Sequence, residues 1–299
     1  MMEFVNFGGW PNCIRLSNGE IELVATTDVG PRIIRLGFVG GQNLFLAYPA
    51  TLGRMGDSKW VSYGGHRLWH APEAFPRTYT ADNASVEHAW DGSTLTLRDV
   101  DHPNGLMKEV LLSLSPTAPC VEVVHRLVNR NPWTVELAVW AISVMAPGGR
   151  AICPQEDFLP HPEALTPARP LVLWRYTDMS DPRWTWGRRY IQVRQDPGAT
   201  SKQKIGLLNR KGWAAYLVGG EAFIKHYLYE VGADYTDMGC NTEIFVDPNE
   251  LEFETLGPLT RLEPGDHVDH VESWRLARVE CGQSDTDIDS DLLPLVDAS

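Results

Sequence analysis

Positive charge is scarce in this sequence of 299 residues. It has 26 Lys and Arg residues against 39 Asp and Glu residues, and its formal net charge is −13. Because phosphate groups bind to basic surfaces, this balance argues against nucleic acid or an anionic membrane as a partner. A small neutral ligand is more compatible with the composition, and the sequence leaves the oligomeric state open.

Cysteine is also rare, and no CxxC pair occurs. The five cysteines are an odd number, so a complete disulfide scheme would leave one thiol over. This pattern predicts reduced thiols and a cytoplasmic location. The first residues, "MMEFVNFGGWPN", lack the basic and then apolar segments of a secretion signal, and no apolar run approaches membrane-spanning length. We therefore expect no membrane association.

Apolar residues at helical spacing are scarce, and 21 prolines and 26 glycines would interrupt most long helices. The dominant period is two, as in "IELVATTD", "MKEVLLSLSP" and "CVEVVHRLVNR", which is typical of strands. Turn-forming stretches such as "SNGE", "HPNG" and "APGGR" separate these runs. Strands that follow one another without intervening helices predict an all-β fold, a large antiparallel β-sandwich.

We predict a single domain over residues 1–280. The proline-rich stretch "PGGRAICPQEDFLPHPEALTPARP" contains apolar residues and is interpreted as a long surface loop, because strand patterns of the same kind continue after it. Residues 281–299 are acidic and aperiodic, and they predict a loosely ordered C-terminal tail.

Common catalytic motifs are missing. The sequence contains no GxSxG motif, no GxGxxG after a strand and no Walker loop. Their absence argues against the common hydrolases, dehydrogenases and nucleotide-dependent enzymes, and we expect no cofactor.

The segment "YGGHRLWHAPE" concentrates polar chemistry. His66 and His70 have the i, i+4 spacing of a zinc-protease helix, but Arg67 stands where such a motif has its glutamate, so we predict no metal site. In a carbohydrate pocket, Arg67 and the histidines would bind hydroxyl groups while Trp69 stacks on the sugar. Alternatively, one histidine is a core residue and Arg67 pairs with Glu73.

A second polar region lies near the C-terminus. By alternation, Glu252 and Glu254 share one face of a strand, and Asn241 shares a face with Glu243. These pairs are consistent with a hydroxyl-binding cleft or with solvent-exposed strand faces. Lys225 interrupts the aromatic strand "FIKHYLYE", where a lysine either reaches towards solvent or points into a polar pocket.

Three segments carry a resemblance to a known family. They are "DVGPRIIRLGFVGGQNLF", "GGHRLWHAPE" and "NTEIFVDPNELEFETLGPLTRLEPGDHVDHVESWRL". Together they resemble the galactose mutarotase-like, or aldose 1-epimerase-like, superfamily, in a branch outside the well-known mutarotases. The resemblance implies a supersandwich with a sugar cleft on one concave face.

Site residues follow from the same resemblance. Mutarotases have a glutamate base shortly before a Leu-x-Pro-Gly-acid turn, which here begins at Leu262. Glu254 is the matching glutamate and Glu243 the second choice. The sugar-holding groups of the first third of the chain correspond to His66 and Arg67, with Arg32 as a weaker candidate.

One departure concerns the acid. Mutarotases present a histidine from a middle strand to protonate the ring oxygen, whereas "TVELAVWAISVMAPGG" offers Trp140 and Ser143 and no histidine. We therefore predict an aldose 1-epimerase-like sugar isomerase with Glu254 as base and His66 or His70 as acid. The predicted substrate-binding residues are Arg67, Trp69, Arg32, Lys225, Asn241, Glu243 and Trp140.

Two alternatives remain open. A non-catalytic carbohydrate-binding or sensing protein would keep the cleft without the acid. A lyase or hydrolase acting on an acidic sugar would use the arginine-rich stretch "RWTWGRR".

Overall fold

The computed structural model describes residues 1–100 and 103–298, and strands dominate this part of the chain. The first ten strands are β1 (Met2–Phe7), β2 (Trp10–Ser17), β3 (Ile21–Thr26), β4 (Arg32–Phe38), β5 (His66–Ala71), β6 (Glu87–Trp90), β7 (Thr94–Asp99), β8 (Leu106–Leu114), β9 (Cys120–Asn129) and β10 (Val135–Met145). The next six are β11 (Arg150–Pro154), β12 (Leu171–Leu173), β13 (Trp184–Trp186), β14 (Tyr190–Arg194), β15 (Gln203–Leu207) and β16 (Trp213–Val218). The last five are β17 (Glu221–Tyr227), β18 (Thr242–Val246), β19 (Leu251–Leu256), β20 (Thr260–Leu262) and β21 (His267–Arg278). A short turn of helix, α1 (Thr236–Gly239), precedes β18.

The strands form two antiparallel sheets. The first sheet has the order β1-β2-β3-β4-β5-β10-β19-β18-β15-β12, with β20 paired to β10. The second sheet has the order β13-β14-β11-β16-β17-β21-β9-β8-β7-β6. The prediction of an all-β antiparallel sandwich is therefore confirmed.

Alternation along the strands builds the core between the sheets. In β10, Leu137, Val139 and Met145 belong to the main apolar cluster, which draws residues from both sheets. Trp140 and Ile142 belong to a separate cluster on the opposite, outer face of the first sheet. Burial of each large apolar side chain contributes about 1.5–3 kcal/mol. The face of the sheet that has more apolar packing partners therefore forms the interior of the sandwich. The outer face of the first sheet is buried by loops, and this face holds the site described below.

The C-terminal segment corrects the prediction of a loosely ordered tail. It contains α2 (Asp285–Asp287), a π-helical turn over Ile288–Leu292 and α3 (Leu293–Asp297), whereas Ser299 lies outside the described residues. Ile288, Leu292 and Val296 are buried against the second sheet, next to Trp213 and Ile224. The spacing of four residues is a helical stripe, too short to stand out in an acidic sequence but sufficient to anchor the segment. No helix within residues 1–100 and 103–298 is long and apolar enough to cross a lipid bilayer.

Candidate functional site

A row of charged residues crosses the outer face of the first sheet. In the register of the neighbouring strands, Arg32 lies opposite Arg67, and Arg67 lies opposite Ile142. Ile142 lies opposite Glu254, and Glu254 lies opposite Glu243. Residues directly opposite each other on antiparallel strands point to the same face of the sheet. The two arginines therefore lie at one end of the row and the two glutamates at the other, with an apolar residue between them.

Tryptophans form the floor next to this row. Trp69 pairs with Trp140 on the same face, and their ring centroids are 5.6 Å apart. The guanidinium of Arg67 lies 4.5 Å from the Trp69 ring, and the ammonium of Lys204 lies 4.9 Å from the Trp140 ring. We call the whole group the outer-face site; its members are Arg67, Trp69, Trp140, Lys204, Glu243, Glu252 and Glu254.

One ammonium group joins the two glutamates. Lys204 Nζ lies 2.7 Å from Glu243 Oε2 and 3.0 Å from Glu254 Oε2. Trp140 Nε1 donates a hydrogen bond of 2.8 Å to Glu254 Oε2. All four side chains are buried. The two carboxyl groups thus share a single cation in a medium that disfavours charge.

The pKa values of these side chains follow from the burial of two carboxyl groups around a single ammonium group. Burial raises the pKa of Glu243 to about 8, because Lys204 only partly offsets it and Glu254 adds repulsion. Burial also raises the pKa of Glu254, again against the opposing effect of Lys204. For Lys204, burial opposes the charge, but the two carboxylates outweigh it and raise the pKa. The raised pKa of Lys204 favours its ammonium form, and the raised pKa values of the two glutamates favour a proton on the carboxyl pair.

Arg67 is held at the other end of the site. Its Nη2 lies 2.7 Å from Glu252 Oε1, and its guanidinium lies 4.5 Å from the Trp69 ring and 5.6 Å from the Trp60 ring. Its Nε and Nη1 atoms are buried and have no hydrogen-bond partner among the described residues. Buried polar groups in proteins are nearly always paired, so these donors require an explanation.

Further unpaired polar atoms occur in the same site. Within the described part of the chain, Trp69 Nε1, Trp60 Nε1, Glu243 Oε1 and Glu254 Oε1 are also buried and make no hydrogen bond. The site therefore combines spare donors and spare acceptors above an aromatic floor. That combination suits a ligand whose groups both donate and accept hydrogen bonds, as hydroxyl groups do.

Aromatic side chains cover the site. Trp60 and Tyr79 pack edge-on against Trp69, each with a centroid distance of 5.1 Å, and the Trp174 ring lies 4.9 Å from Lys204 Nζ. Glu254 is 0% exposed. Trp60 and Tyr79 also line an open cavity of about 620 Å³.

A second cavity of about 670 Å³ lies elsewhere, beside Glu3, Arg15 and Trp90. It contains none of the predicted site residues.

The structure corrects the assignment of His66 and His70 as acids beside Glu254. Both point into the interior between the sheets, where His66 Nδ1 lies 2.8 Å from Ser143 Oγ. Burial lowers the pKa of His66 well below its usual value and lowers that of His70 to about 3. Neighbouring residues of a strand point to opposite faces, so His66 is separated from Arg67 and Glu254 by the sheet itself.

Lys225 also lies in the interior and does not reach the site. Its Nζ is 3.1 Å from Glu272 Oε1, and Trp274 Nε1 donates a hydrogen bond of 2.7 Å to Glu272 Oε2. Burial opposes ionisation of Glu272, but Lys225 and the nearby histidines outweigh it and lower the pKa of Glu272 to about 2. This is a buried ion pair inside the core.

Three potential metal ligands meet in the same interior. Among the described residues, the ligand atoms of His66, His125 and Glu272 lie within 4.8 Å of one another. The two imidazoles instead form a hydrogen bond of 2.7 Å, and His125 Nδ1 lies 3.0 Å from the carbonyl oxygen of His270. Together with the Lys225 ammonium on Glu272, these bonds make a hydrogen-bonded core network a better description than a metal centre.

Asn241 and Arg32 bind the backbone. The Asn241 amide accepts a bond of 2.7 Å from the backbone N–H of Asn209 and donates one of 2.9 Å to its carbonyl oxygen. The predicted role of Asn241 in binding hydroxyl groups is therefore wrong, because both of its polar atoms hold a loop in place. Arg32 shares the outer face with Arg67, and its Nη1 donates a bond of 2.6 Å to the carbonyl oxygen of Gly64.

Sequence reasoning missed Lys204 and the covering residues. In "SKQKIGLL", alternation places Lys202, Lys204 and Gly206 on one face, which is the pattern of an ordinary solvent-exposed strand. Only the pairing of β15 with β18 brings Lys204 to the glutamates. Trp60, Tyr79 and Trp174 come from loops, whose paths no periodicity predicts.

Comparisons with known proteins identify the fold. No family model and no curated protein matches the sequence. Among solved structures, the chain superposes on Slr1438 from Synechocystis sp. PCC 6803 with a TM-score of 0.59 and 11% identity, covering 93% of this chain and 100% of that one. It superposes on a galactose mutarotase-like protein from Lactobacillus casei with a TM-score of 0.54 and 10% identity, covering 89% and 100% of the two chains.

A third match is a TPR-domain containing protein from Parabacteroides distasonis, with a TM-score of 0.59 and 13% identity. That match covers 89% of this chain, but the chain spans only 47% of its longer neighbour. The architecture that the sequence resemblance implied is thereby confirmed: this chain has the galactose mutarotase-like fold.

Proposed function

We propose that the protein binds a sugar in the outer-face site and interconverts its anomers by opening and closing the ring. The unpaired buried atoms of Arg67, Trp69, Glu243 and Glu254 carry this proposal. They supply donors and acceptors for hydroxyl groups around the tryptophan floor, on which the C–H face of a sugar can stack. The galactose mutarotase-like names of structural neighbours add support.

The charges favour a neutral sugar. Arg67 is compensated by Glu252, and Lys204 is compensated by the pair of Glu243 and Glu254. With one proton on that pair, the site carries no net charge. A uronate would bring an uncompensated negative charge into a buried site that already contains three carboxyl groups, which is unfavourable. A lyase or hydrolase acting on acidic sugars is therefore less well supported than an enzyme acting on a neutral sugar.

Glu254 is the base in this proposal. Opening an aldose ring requires removal of the proton from the anomeric hydroxyl O1 and protonation of the ring oxygen. Glu254 Oε1 is the buried oxygen without a partner, while Oε2 is held by Trp140 and Lys204. One oxygen of the carboxylate is thus fixed, and the other is available for the hydroxyl group of the sugar.

Exchange NMR on a panel of neutral aldoses tests the proposal. The wild type should exchange the α and β anomers of at least one aldose faster than the spontaneous rate. Glu254→Gln should lose this acceleration, by about 100- to 10,000-fold for loss of the base. Glu109→Gln is the matched control, because Glu109 is a buried carboxylate paired with Arg98 on the second sheet. Spontaneous rates for every aldose would refute the isomerase.

A sugar-binding protein without catalysis is the second candidate. On strands β5, β10, β15, β18 and β19, all of which the structure describes, no histidine points to the outer face. Binding can be measured as thermal stabilisation, which amounts to about 2.7 kcal/mol at a ligand concentration of one hundred times Kd. Stabilisation by an aldose that survives in Glu254→Gln, together with spontaneous exchange rates in the wild type, would favour this candidate.

For the compartment we propose a reducing one, as the cytoplasm is. All five cysteines lie in the described part of the chain with free thiols, and three of them are buried. Disulfides are the norm in oxidising compartments. Thiol titration of the protein purified without reductant should return five reactive thiols after denaturation.

A further inference from the structure

The two glutamates of the outer-face site are direct neighbours. Glu243 on β18 pairs with Glu254 on β19, so the two side chains leave the sheet side by side. Cα atoms of such partners are about 4.5–5.5 Å apart. Lys204 binds Oε2 of both residues, and within the described residues Oε1 of both is buried without a partner. The pair therefore presents two oxygen atoms of matching environment to a ligand.

Two carboxyl groups this close, with one cation between them, do not both ionise at neutral pH. Repulsion and burial favour a state in which one carboxyl is protonated and the other is not, as in other carboxylate pairs in enzymes. The pKa of Glu243, raised to about 8 by burial and by Glu254, agrees with this state. The other titratable groups that act on the pair are Lys204, Glu250, Glu252, Asp237, Tyr176 and Cys240.

Resting on the proposed function, we infer that Glu243 is the second catalytic residue and gives its proton to the ring oxygen while Glu254 takes the proton of O1. The anomeric hydroxyl and the ring oxygen are bonded to the same carbon atom. Acid and base must consequently sit close together, and neighbouring strand positions provide such a spacing. Glu243 thus takes the part for which the sequence offered His66 or His70.

The proton transfers balance over the cycle. The Glu254 carboxylate removes the O1 proton, the C1–O1 bond becomes a double bond, and the bond from C1 to the ring oxygen breaks. The ring oxygen takes the Glu243 proton and becomes a hydroxyl group of the open-chain aldehyde. After rotation about the C1–C2 bond, attack of this hydroxyl on C1 returns its proton to Glu243, and O1 recovers a proton from Glu254. No oxidant or reductant is needed.

Lys204 is a positioning residue in this scheme. Its ammonium holds Oε2 of both glutamates and lies 4.9 Å from each of the rings of Trp140 and Trp174. Its raised pKa makes it a poor proton donor. It keeps the pair at one proton by compensating a single negative charge.

The test compares the pH dependence of anomer exchange in the wild type, Glu243→Gln, Glu243→Asp and the control Glu109→Gln. Glutamine keeps an oxygen for Lys204 but has no acidic proton, so kcat should fall by about 100- to 10,000-fold with little change in KM. Wild-type kcat should decline as pH rises through about 8, because Glu243 loses its proton there. Glu243→Asp should recover part of the rate together with that decline, and Glu109→Gln should behave as the wild type does.

Carbon-13 NMR of glutamate carboxyl groups adds a readout that is independent of turnover. Burial raises the pKa of both Glu243 and Glu250 to about 8, so two glutamate carboxyls should titrate near pH 8 in the wild type. One of these two titrations should vanish in Glu243→Gln, while that of Glu250 remains. Wild-type rates and an unchanged pH profile in Glu243→Gln would overturn the inference while leaving the proposed function intact. Spontaneous rates in the wild type for every aldose would instead refute the proposed function, and the catalytic role of Glu243 with it.

Discussion

Replacement of Lys225 by methionine would remove the positive partner of a carboxylate deep inside the sandwich. Lys225 Nζ lies 3.1 Å from Glu272 Oε1, and both side chains are 0% exposed. Trp274 and Thr255 also donate hydrogen bonds to Glu272. Methionine matches the length of the lysine stem, so Lys225→Met changes charge more than packing.

The magnitude follows from the pKa of Glu272. It is about 2 in the folded protein, against an ordinary value of 4.5. A depressed pKa contributes stability that is present above 4.5 and lost as pH falls towards 2. At about 1.4 kcal/mol for each pH unit, this difference corresponds to about 3 kcal/mol at pH 7. Burial lowers the pKa of Lys225, and this opposing effect offsets part of that contribution.

Without Lys225, Glu272 must take up a proton to remain buried. Protonating a carboxyl of ordinary pKa at pH 7 also costs about 3 kcal/mol. We therefore expect Lys225→Met to lower the free energy of unfolding by about 3–5 kcal/mol at pH 7. This loss should shrink by about 1.4 kcal/mol for each unit that the pH is lowered towards 5, because the proton becomes easier to bind.

Urea unfolding followed by tryptophan fluorescence at pH 5, 6 and 7 measures this effect. The double variant Lys225→Met with Glu272→Gln should regain stability and lose the pH dependence. Lys211→Met is the control, because its 2.9 Å pair with Asp157 is exposed and contributes at most about 1 kcal/mol. A loss below about 1 kcal/mol at pH 7 for Lys225→Met, or an equal loss at pH 5 and pH 7, would refute this reasoning.

Three further predictions concern the C-terminal segment, the contacts of Asn241 with a loop, and the outer-face site. Ile288→Ala should lower the free energy of unfolding by about 2–5 kcal/mol in denaturant titrations, because it leaves a cavity beneath the C-terminal helices. An unchanged free energy of unfolding would mean that the C-terminal segment is loosely held. Asn241→Ala should lower the free energy of unfolding by about 1–3 kcal/mol in the same titrations but leave sugar affinity unchanged. The reason is that the Asn241 amide binds the backbone of Asn209 and accepts a hydrogen bond from the Thr242 hydroxyl. Weaker sugar binding at equal stability would contradict this role. Trp140→Phe removes a hydrogen bond that lowers the pKa of Glu254, so this pKa should rise. The loss of anomer exchange rate at low pH should then occur at a higher pH than in the wild type. An unchanged pH profile would count against Glu254 as the base.

Part of the site could be predicted from the sequence because strand alternation is a local property. The positions of Arg67 and Trp69 two residues apart, and of Glu252 and Glu254 likewise, already assign each pair to a common face. The same rule separates His66 from Arg67, which were expected to act together. Alternation says which residues share a face, but it does not say which face is the interior.

By itself, the sequence determined the all-β class and the antiparallel arrangement, because periodicity, turn residues and a family resemblance are readable along the chain. Only the tertiary structure decided that His66, His70 and Lys225 are interior residues, since burial depends on what packs against a strand. Strand order and register likewise brought Lys204 to Glu254 across a separation of 50 residues. The C-terminal segment is acidic and shows no periodicity, but in the structure Ile288 and Leu292 pack on the second sheet and anchor it. A few buried apolar contacts outweigh the preference of the surrounding charged side chains for water.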